Sequence, residues 1–202
     1  MDPALIATAE NTLKKSDPVL GALIARNGSI IREPRSDYFA SLTRAIVGQQ
    51  LSVKAASSIF GRFEERTALN PQKVTELAEE DIKAIGLSRP KARYIQDLAR
   101  NFVDNSAIYN HLESLSDDDV VTELTAVKGI GVWTAQMFLM FTLIRPDVFA
   151  PDDAGLQKAI KQAYGLDAVP GRAELEQFAE RWKPYRTVAS WHLWHSLDNA
   201  PA

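Results

Sequence analysis

Apolar residues recur at steps of three and four along almost the whole of this 202-residue chain, and long alternating runs are missing. A step near 3.6 marks helices with one buried stripe, whereas strict alternation marks half-buried strands. The sequence therefore predicts an all-α fold. Punctuation residues place the helices. Asp17-Pro18 and Asn70-Pro71 each open one, proline being tolerated in the first turn. Asn27-Gly28 closes the helix that Asp17 opens, and Ile30 to Ser36, with Pro34, is irregular. A helix from about Asp37 to Gly48 carries Tyr38, Leu42 and Ile46 on one face, and another runs from Ser52 to about Glu65. Asp117, Asp118 and Asp119 suit a helix start, where acids face the positive end of the dipole.

Composition narrows the chemistry. The chain has no cysteine, which excludes disulfides, thiolate metal sites and a cysteine nucleophile, and only three histidines, too few for a histidine-rich metal site. An apolar fraction of 46% can fill a core. No stretch approaches the roughly 18 unbroken apolar residues of a membrane span, and Met1-Asp2-Pro3 is followed by amphipathic sequence and not by a secretory leader. The net charge of −3 offers no global attraction to nucleic acid, so any binding to DNA has to come from local features.

Two segments, Leu77 to Ile95 and Leu124 to Leu139, both read as helix, tight glycine turn, helix. The second holds Gly129-Ile130-Gly131. Glycine permits backbone angles that other residues avoid and lets a partner approach closely. The first amides of the helix that follows lack intrahelical partners, and with the dipole they form an anion site. A DNA phosphate fits such a site without any reading of base sequence. Ala135 is small enough for two helices to pack closely behind the turn. From Lys83 to Arg100, five basic residues face one acid, Asp97, a local charge of +4. A basic stripe in an acidic chain points to a backbone-binding face.

The string Leu124-x-x-Val127-x-Gly129-Ile130-Gly131-x-x-Thr134-Ala135 resembles the helix-hairpin-helix element of DNA repair glycosylases. Some 20 residues on, Val148-Phe149-Ala150-Pro151-Asp152-Asp153 resembles the Gly-Pro-Asp loop of the same superfamily. Arg44-Ala-Ile-Val-Gly-Gln-Gln-Leu-Ser-Val53 and Arg181-Trp-Lys-Pro-Tyr-Arg-x-x-Ala-x-Trp-His-Leu-Trp194 look like the AlkA branch, the alkylpurine (3-methyladenine) DNA glycosylases. The resemblance spans about Tyr38 to Leu197. It implies a helix-hairpin-helix glycosylase fold of two helical lobes with a cleft: a central lobe over 38–145, and a second lobe of 1–37 plus 146–202 with the catalytic aspartate at the junction.

The implied activity is excision of alkylated bases such as 3-methyladenine from double-stranded DNA. An N-glycosidic bond breaks through a sugar carrying positive charge, which a carboxylate stabilises. Asp152 and Asp153 both qualify on chemistry alone. The resemblance points to Asp153 as catalytic and leaves Asp152 to loop or helix capping. Bifunctional relatives carry a Schiff-base lysine where this chain has Trp133, so water is the expected nucleophile and the enzyme monofunctional. A cationic alkylpurine suits an aromatic pocket. Trp133, Trp191, Trp194, Tyr185 and Tyr38 are candidates, with Trp194 first, and Trp194, Trp133 and Tyr38 form the expected base pocket. Trp191 and Trp194 are three apart, so one of them can be core. His192 and His195 read as surface or packing residues, and Arg186 as a partner for a carboxylate.

The target base has to leave the duplex, and either Gln50 or Leu51, in the turn Gln49-Gln50-Leu51, fills the gap. Lys128, Gly129, Ile130 and Gly131 are the expected backbone grip, Lys128 standing where the family usually has proline. The resemblance also implies a monovalent cation on the carbonyls of Thr125, Val127 and Ile130, with no required cofactor. A monomer acting in the bacterial nucleoid or the nucleus, without a membrane, is expected. Excision of uracil or oxidised bases on the same fold, or a non-catalytic hairpin that only binds DNA, are the alternatives.

Overall fold

The computed structural model describes residues 1–198. In chain order the helices are α1 (Pro3–Ser16), α2 (Pro18–Asn27), α3 (Tyr38–Gly48), α4 (Val53–Thr67), α5 (Pro71–Glu76), α6 (Glu79–Ala84), α7 (Arg89–Asp104), α8 (Ser106–Tyr109), α9 (Asp117–Ala126), α10 (Val132–Phe141), α11 (Ala154–Ala163), α12 (Arg172–Ala179) and α13 (Arg186–Asp198). Short 3-10 turns stand at Leu112–Ser114 and Glu180–Trp182, and no strand occurs among the described residues.

The starts follow side-chain capping chemistry. Asp17 Oδ1 accepts from the Val19 and Leu20 amides at 3.0 and 3.1 Å, with Pro18 in the first turn of α2. Asp37 accepts from Ala40 N at 2.8 Å and opens α3. Asn70 accepts from Lys73 N at 3.3 Å and opens α5. The three aspartates sit in the first turn of α9 as expected, but the cap is Ser116, whose Oγ accepts from Asp119 N at 3.2 Å. Gly28 stops α2 with φ +71°.

Contacts divide the chain into two units, 1–34 with 139 onward, and 35–138. In the first, Leu13, Leu20 and Ile24 of α1 and α2 are buried in one core with Leu156 and Ile160 of α11, Trp182, and Val188 and Leu193 of α13. Asp17 pins this core, accepting from Tyr164 Oη at 2.7 Å and Trp182 Nε1 at 3.1 Å. Burial pushes its carboxyl up, but the bonds from Tyr164, the Leu20 amide and Trp182 outweigh that and hold it below the ordinary value. Arg186 grips Asp147 through Nε–Oδ1 at 2.8 Å and Nη2–Oδ2 at 3.1 Å, the carboxylate pairing expected of it. His192 is fully buried, its Nε2 3.3 Å from Glu10 Oε1, which makes it a packing residue.

In the second unit, Leu42 and Ile46 of α3 are fully buried, as are Phe63 of α4, Ile95 and Leu98 of α7, and Leu124 of α9. Phe39 meets Phe102 edge-on, with centroids 5.3 Å apart. The sequence reading divided the chain at 37/38 and 145/146, while the contacts divide it at 34/35 and 138/139. The later boundary moves because Ile144 belongs to the first unit's core and Phe141 packs against it. Among the described residues no helix is long and apolar enough to cross a membrane.

Candidate functional site

Asp153 ends the loop 142–153 and caps α11. Its Oδ1 accepts from Leu156 N at 2.6 Å and from Trp194 Nε1 at 2.8 Å. Cap and indole together fix the carboxylate at the positive end of a ten-residue helix, where negative charge is favoured. Gly155 is part of this arrangement and was not singled out from the sequence. A Cβ there would stand 3.2 Å from Asp153 Oδ1 and 3.4 Å from Trp194 Cδ1 and Nε1, so its missing side chain makes room for the pair. The capping role expected of Asp152 belongs to Asp153. Asp152 is exposed and turns instead to Arg172, Oδ2 to Nη1 at 2.8 Å.

Around Trp194 lies a small cavity of about 120 Å³ lined by Ile30, Arg32, Phe141, Trp191, Trp194 and His195. Phe141 lies 5.5 Å from Trp194 and 6.3 Å from Trp191 between ring centroids. The Arg32 guanidinium sits over the Phe141 and Trp191 rings at 5.1 and 5.5 Å, so these aromatic faces already hold a cation from the chain itself. Of the two tryptophans three apart, Trp191 is core at 2% exposure and Trp194 is half-buried. Tyr185 packs against the same core. Trp133 and Tyr38, expected beside Trp194, lie in the other unit. Trp133 is 45% exposed in the first turn of α10. Tyr38 donates its hydroxyl to Glu113 Oε2 at 2.8 Å and meets Phe138 edge-on.

In the second unit α9 and α10 are joined by Val127 to Gly131. Gly129 has φ +86°, and a Cβ there would come within 2.3 Å of the Tyr94 ring, so both backbone angle and space demand glycine. Gly131 differs from expectation. Its φ is not in the left-handed region, and a Cβ would meet nothing within 4 Å, so no contact inside the protein explains it. It is exposed, with Val132 and Trp133 next to it, while Ile130 anchors the turn at 4% exposure and Ala135 is fully buried. Lys128 is exposed, and its backbone N donates to Asp97 Oδ2 at 2.9 Å.

The basic stripe is thinner than its residue count. Lys91 is not on a solvent face. Its Nζ donates to the carbonyls of Val47, at 2.9 Å, and Gln49, and burial lowers its pKa. Arg89 and Arg93 share Glu79 at 3.1 and 2.9 Å. The turn that Lys91 holds is Gln49-Gln50-Leu51. Gln49 Nε2 reaches across to the Gly129 carbonyl at 2.9 Å. Gln50 adopts φ +56° and is exposed, and Leu51 is 41% exposed.

A family description, HhH-GPD superfamily base excision DNA repair protein, matches residues 43–184, which include the hairpin, the turn at 49–51 and Asp153. The chain belongs to the HhH-GPD superfamily. A crystal structure of a DNA-3-methyladenine glycosidase from Bacillus halodurans matches with a TM-score of 0.83 at 35% identity, covering 93% of this chain and 88% of that one. A 3-methyladenine DNA glycosylase from Schizosaccharomyces pombe, in complex with abasic DNA, matches with a TM-score of 0.84 at 29% identity, covering 96% and 98%. YfjP of Bacillus subtilis is 32% identical over 173 residues, which make up 80% of this chain and 60% of that protein.

In this HhH-GPD protein, no group of three or more His, Cys, Asp or Glu among the described residues is arranged to hold a metal ion. The hairpin carbonyls of Thr125, Val127 and Ile130 are donors of another kind, neutral oxygens. That of Val127 accepts the Ile130 N–H at 3.1 Å, one of its two lone pairs, and the turn it closes holds both residues in place.

Proposed function

We propose that this protein is a monofunctional DNA glycosylase that hydrolyses the N-glycosidic bond of alkylated purines such as 3-methyladenine in double-stranded DNA, in base excision repair. The observation that carries the reading is the Asp153 carboxylate, fixed by its own helix and by Trp194 Nε1 in a chain of the HhH-GPD superfamily. Its negative charge stabilises the sugar as the bond to the base breaks. Because Oδ1 is held by two donors, the carboxylate needs little rearrangement during the reaction. Water then adds to the sugar, and a free base and an abasic site leave.

Trp133 supplies no amine for a Schiff base, which supports hydrolysis without strand cleavage. The hairpin amides at Gly131 and the first turn of α10, with Lys128, grip the DNA backbone. Gln50 or Leu51 fills the place of the extruded base. Carbonyls of Thr125, Val127 and Ile130 suit a monovalent cation between hairpin and phosphate, and no other cofactor is invoked. The protein acts on DNA as a monomer, in the nucleoid or nucleus.

The test is base release from duplexes carrying methylated, deaminated or oxidised bases, with borohydride present in a parallel set. Release of methylated purine without a trapped protein–DNA adduct is expected. Release confined to uracil or oxidised bases, or a robust adduct, contradicts the reading.

A further inference from the structure

Three residues spaced three apart on α7 hold two separate turns of the second unit. Lys91 Nζ donates to the carbonyls of Val47 and Gln49, the last of which begins the turn Gln49-Gln50-Leu51. The Tyr94 ring packs against the Cα of Gly129 so closely that no Cβ fits between. Asp97 Oδ2 accepts from Lys128 N, the residue before Gly129. A fourth contact closes the loop directly, Gln49 Nε2 to the Gly129 carbonyl at 2.9 Å. Two turns separated by 80 residues in sequence are therefore tied to one rigid helix and to each other. Ile95 and Leu98, four and seven residues after Lys91 and so on the same stripe of the helix, are fully buried and anchor α7 in the core beside these contacts.

A simpler role for Lys91 is to cap the C-terminus of α3, where a cation satisfies late carbonyls. That role needs no link to the hairpin and does not require Tyr94, Asp97 and Gln49 to converge on it. Withdrawing an ammonium from water costs free energy, and partial burial lowers the pKa of Lys91. An exposed lysine or a neutral cap satisfies the same carbonyls at less cost.

We propose that α7 is a bracket that sets the distance between the hairpin gripping the DNA backbone and the turn that fills the vacated base position, with Lys91 as its positioning residue. The proposal rests on the roles given to hairpin and turn under Proposed function. A turn that is correctly spaced from the gripped phosphates enters the stack as the base leaves. A turn that drifts by an ångström enters late or not at all, although both loops are still folded. Lys91 touches no DNA in this account. It acts through Gln49 and its neighbours.

The experiment compares Lys91→Met with the wild-type full chain in two readouts. The first is fluorescence of 2-aminopurine opposite a tetrahydrofuran abasic analogue in a duplex, which reports insertion of the turn and needs no catalysis. The second is release of 7-methylguanine paired with cytosine and of the same base in a single-nucleotide bulge, where extrusion is cheap. Loss of a charged hydrogen bond predicts that Lys91→Met weakens paired-lesion release by about tenfold or more, and bulged-lesion release by less than about twofold. The fluorescence change should be lost while affinity for undamaged duplex is kept. Gln49→Leu, which removes the direct strut to Gly129, should give the same split, and it decides the matter if Lys91→Met does not fold. Equal loss on paired and bulged substrates, or an unchanged fluorescence response in the folded variant, overturns the bracket. If the wild type releases no base from either substrate, the glycosylase reading fails, while the fluorescence still decides the bracket.

Discussion

The second unit builds the same helix–turn–helix twice. In α6–Gly86–α7 and in α9–Gly129–α10, the turn glycine has positive φ, +110° and +86°. The next residue, Leu87 or Ile130, is buried at 5% or 4% exposure, and Ala92 and Ala135 are fully buried in the helices that follow. Both helices begin alike, Ala92 N bonding to Ser88 O at 2.9 Å and Ala135 N to Gly131 O at 3.1 Å. The two turns part at what they offer outward. Pro90 removes an amide from the first turn of α7, where α10 has Trp133. Ser88 stands where α10 has Gly131. Arg89 is tied to Glu79, and Arg62 Nε donates to the Ile85 carbonyl at 2.7 Å, so the first turn meets its own protein. The shared features are what a helical hairpin needs in order to fold. The features found only in the second, an amide at 133 in place of proline and a residue without a side chain at 131, suit the phosphate grip proposed for it.

The comparison breaks most severely at Gly129. Replacing it with leucine strains φ and drives a side chain into Tyr94, and should cost about 3 kcal/mol or more of stability. Gly86→Leu should cost less, since the nearest atom to its Cβ is Arg62 Nη2 at 2.8 Å, the end of a long side chain that can swing away at the cost of its bonds to Ile85 and Ser58, whereas Tyr94 is a packed ring. Paired thermal melts measure the difference, and equal losses would mean that Tyr94 gives way.

Next in size is Gly131→Asp. The site is open within the protein, so the fold should persist, while a carboxylate among the amides proposed to bind phosphate should weaken binding to lesion-bearing and undamaged duplex alike by about a hundredfold. Ser88→Asp should change affinity by less than about twofold if the first turn makes no phosphate contact. Normal binding by Gly131→Asp would reduce the second hairpin to a structural turn as well.

The smallest effect is in salt. Lys128→Ala should lower the slope of log affinity against log salt by about 1, the signature of one lost phosphate contact, and Arg89→Ala, held by Glu79, should lower it by much less. Equal slopes would return the Lys83 to Arg100 stripe to the interface.

Local chemistry carried most of the architecture. Asp17-Pro18, Asn70-Pro71 and Asp37 mark helix starts because capping and proline act within one turn of chain, and the two glycine turns were legible for the same reason. Long-range partners were not. Lys91 looks like its exposed neighbours in sequence, and only the approach of the end of α3 to α7 half-buries it and gives it the Val47 and Gln49 carbonyls. Asp153 and Trp194 lie 41 residues apart, and Gly155 reads as an ordinary helix residue until that indole is in place. The unit boundary was missed because α10 is apolar on nearly every side, so no change in pattern marks where its neighbours change.

The proposed function rests on the Asp153 carboxylate. It is tested most directly by measuring base release from an alkylated duplex by Asp153→Asn and Asp152→Asn beside the wild type, with affinity for an abasic-analogue duplex measured on the same preparations. Asn keeps an oxygen for Leu156 N and Trp194 Nε1 but removes the charge, so Asp153→Asn should lose release while binding as tightly or more tightly. Asp152→Asn loses only an exposed pair with Arg172 and should remain near wild type. Near-normal release by Asp153→Asn, with loss in Asp152→Asn, would move the catalytic carboxylate by one residue and leave Asp153 as a helix cap.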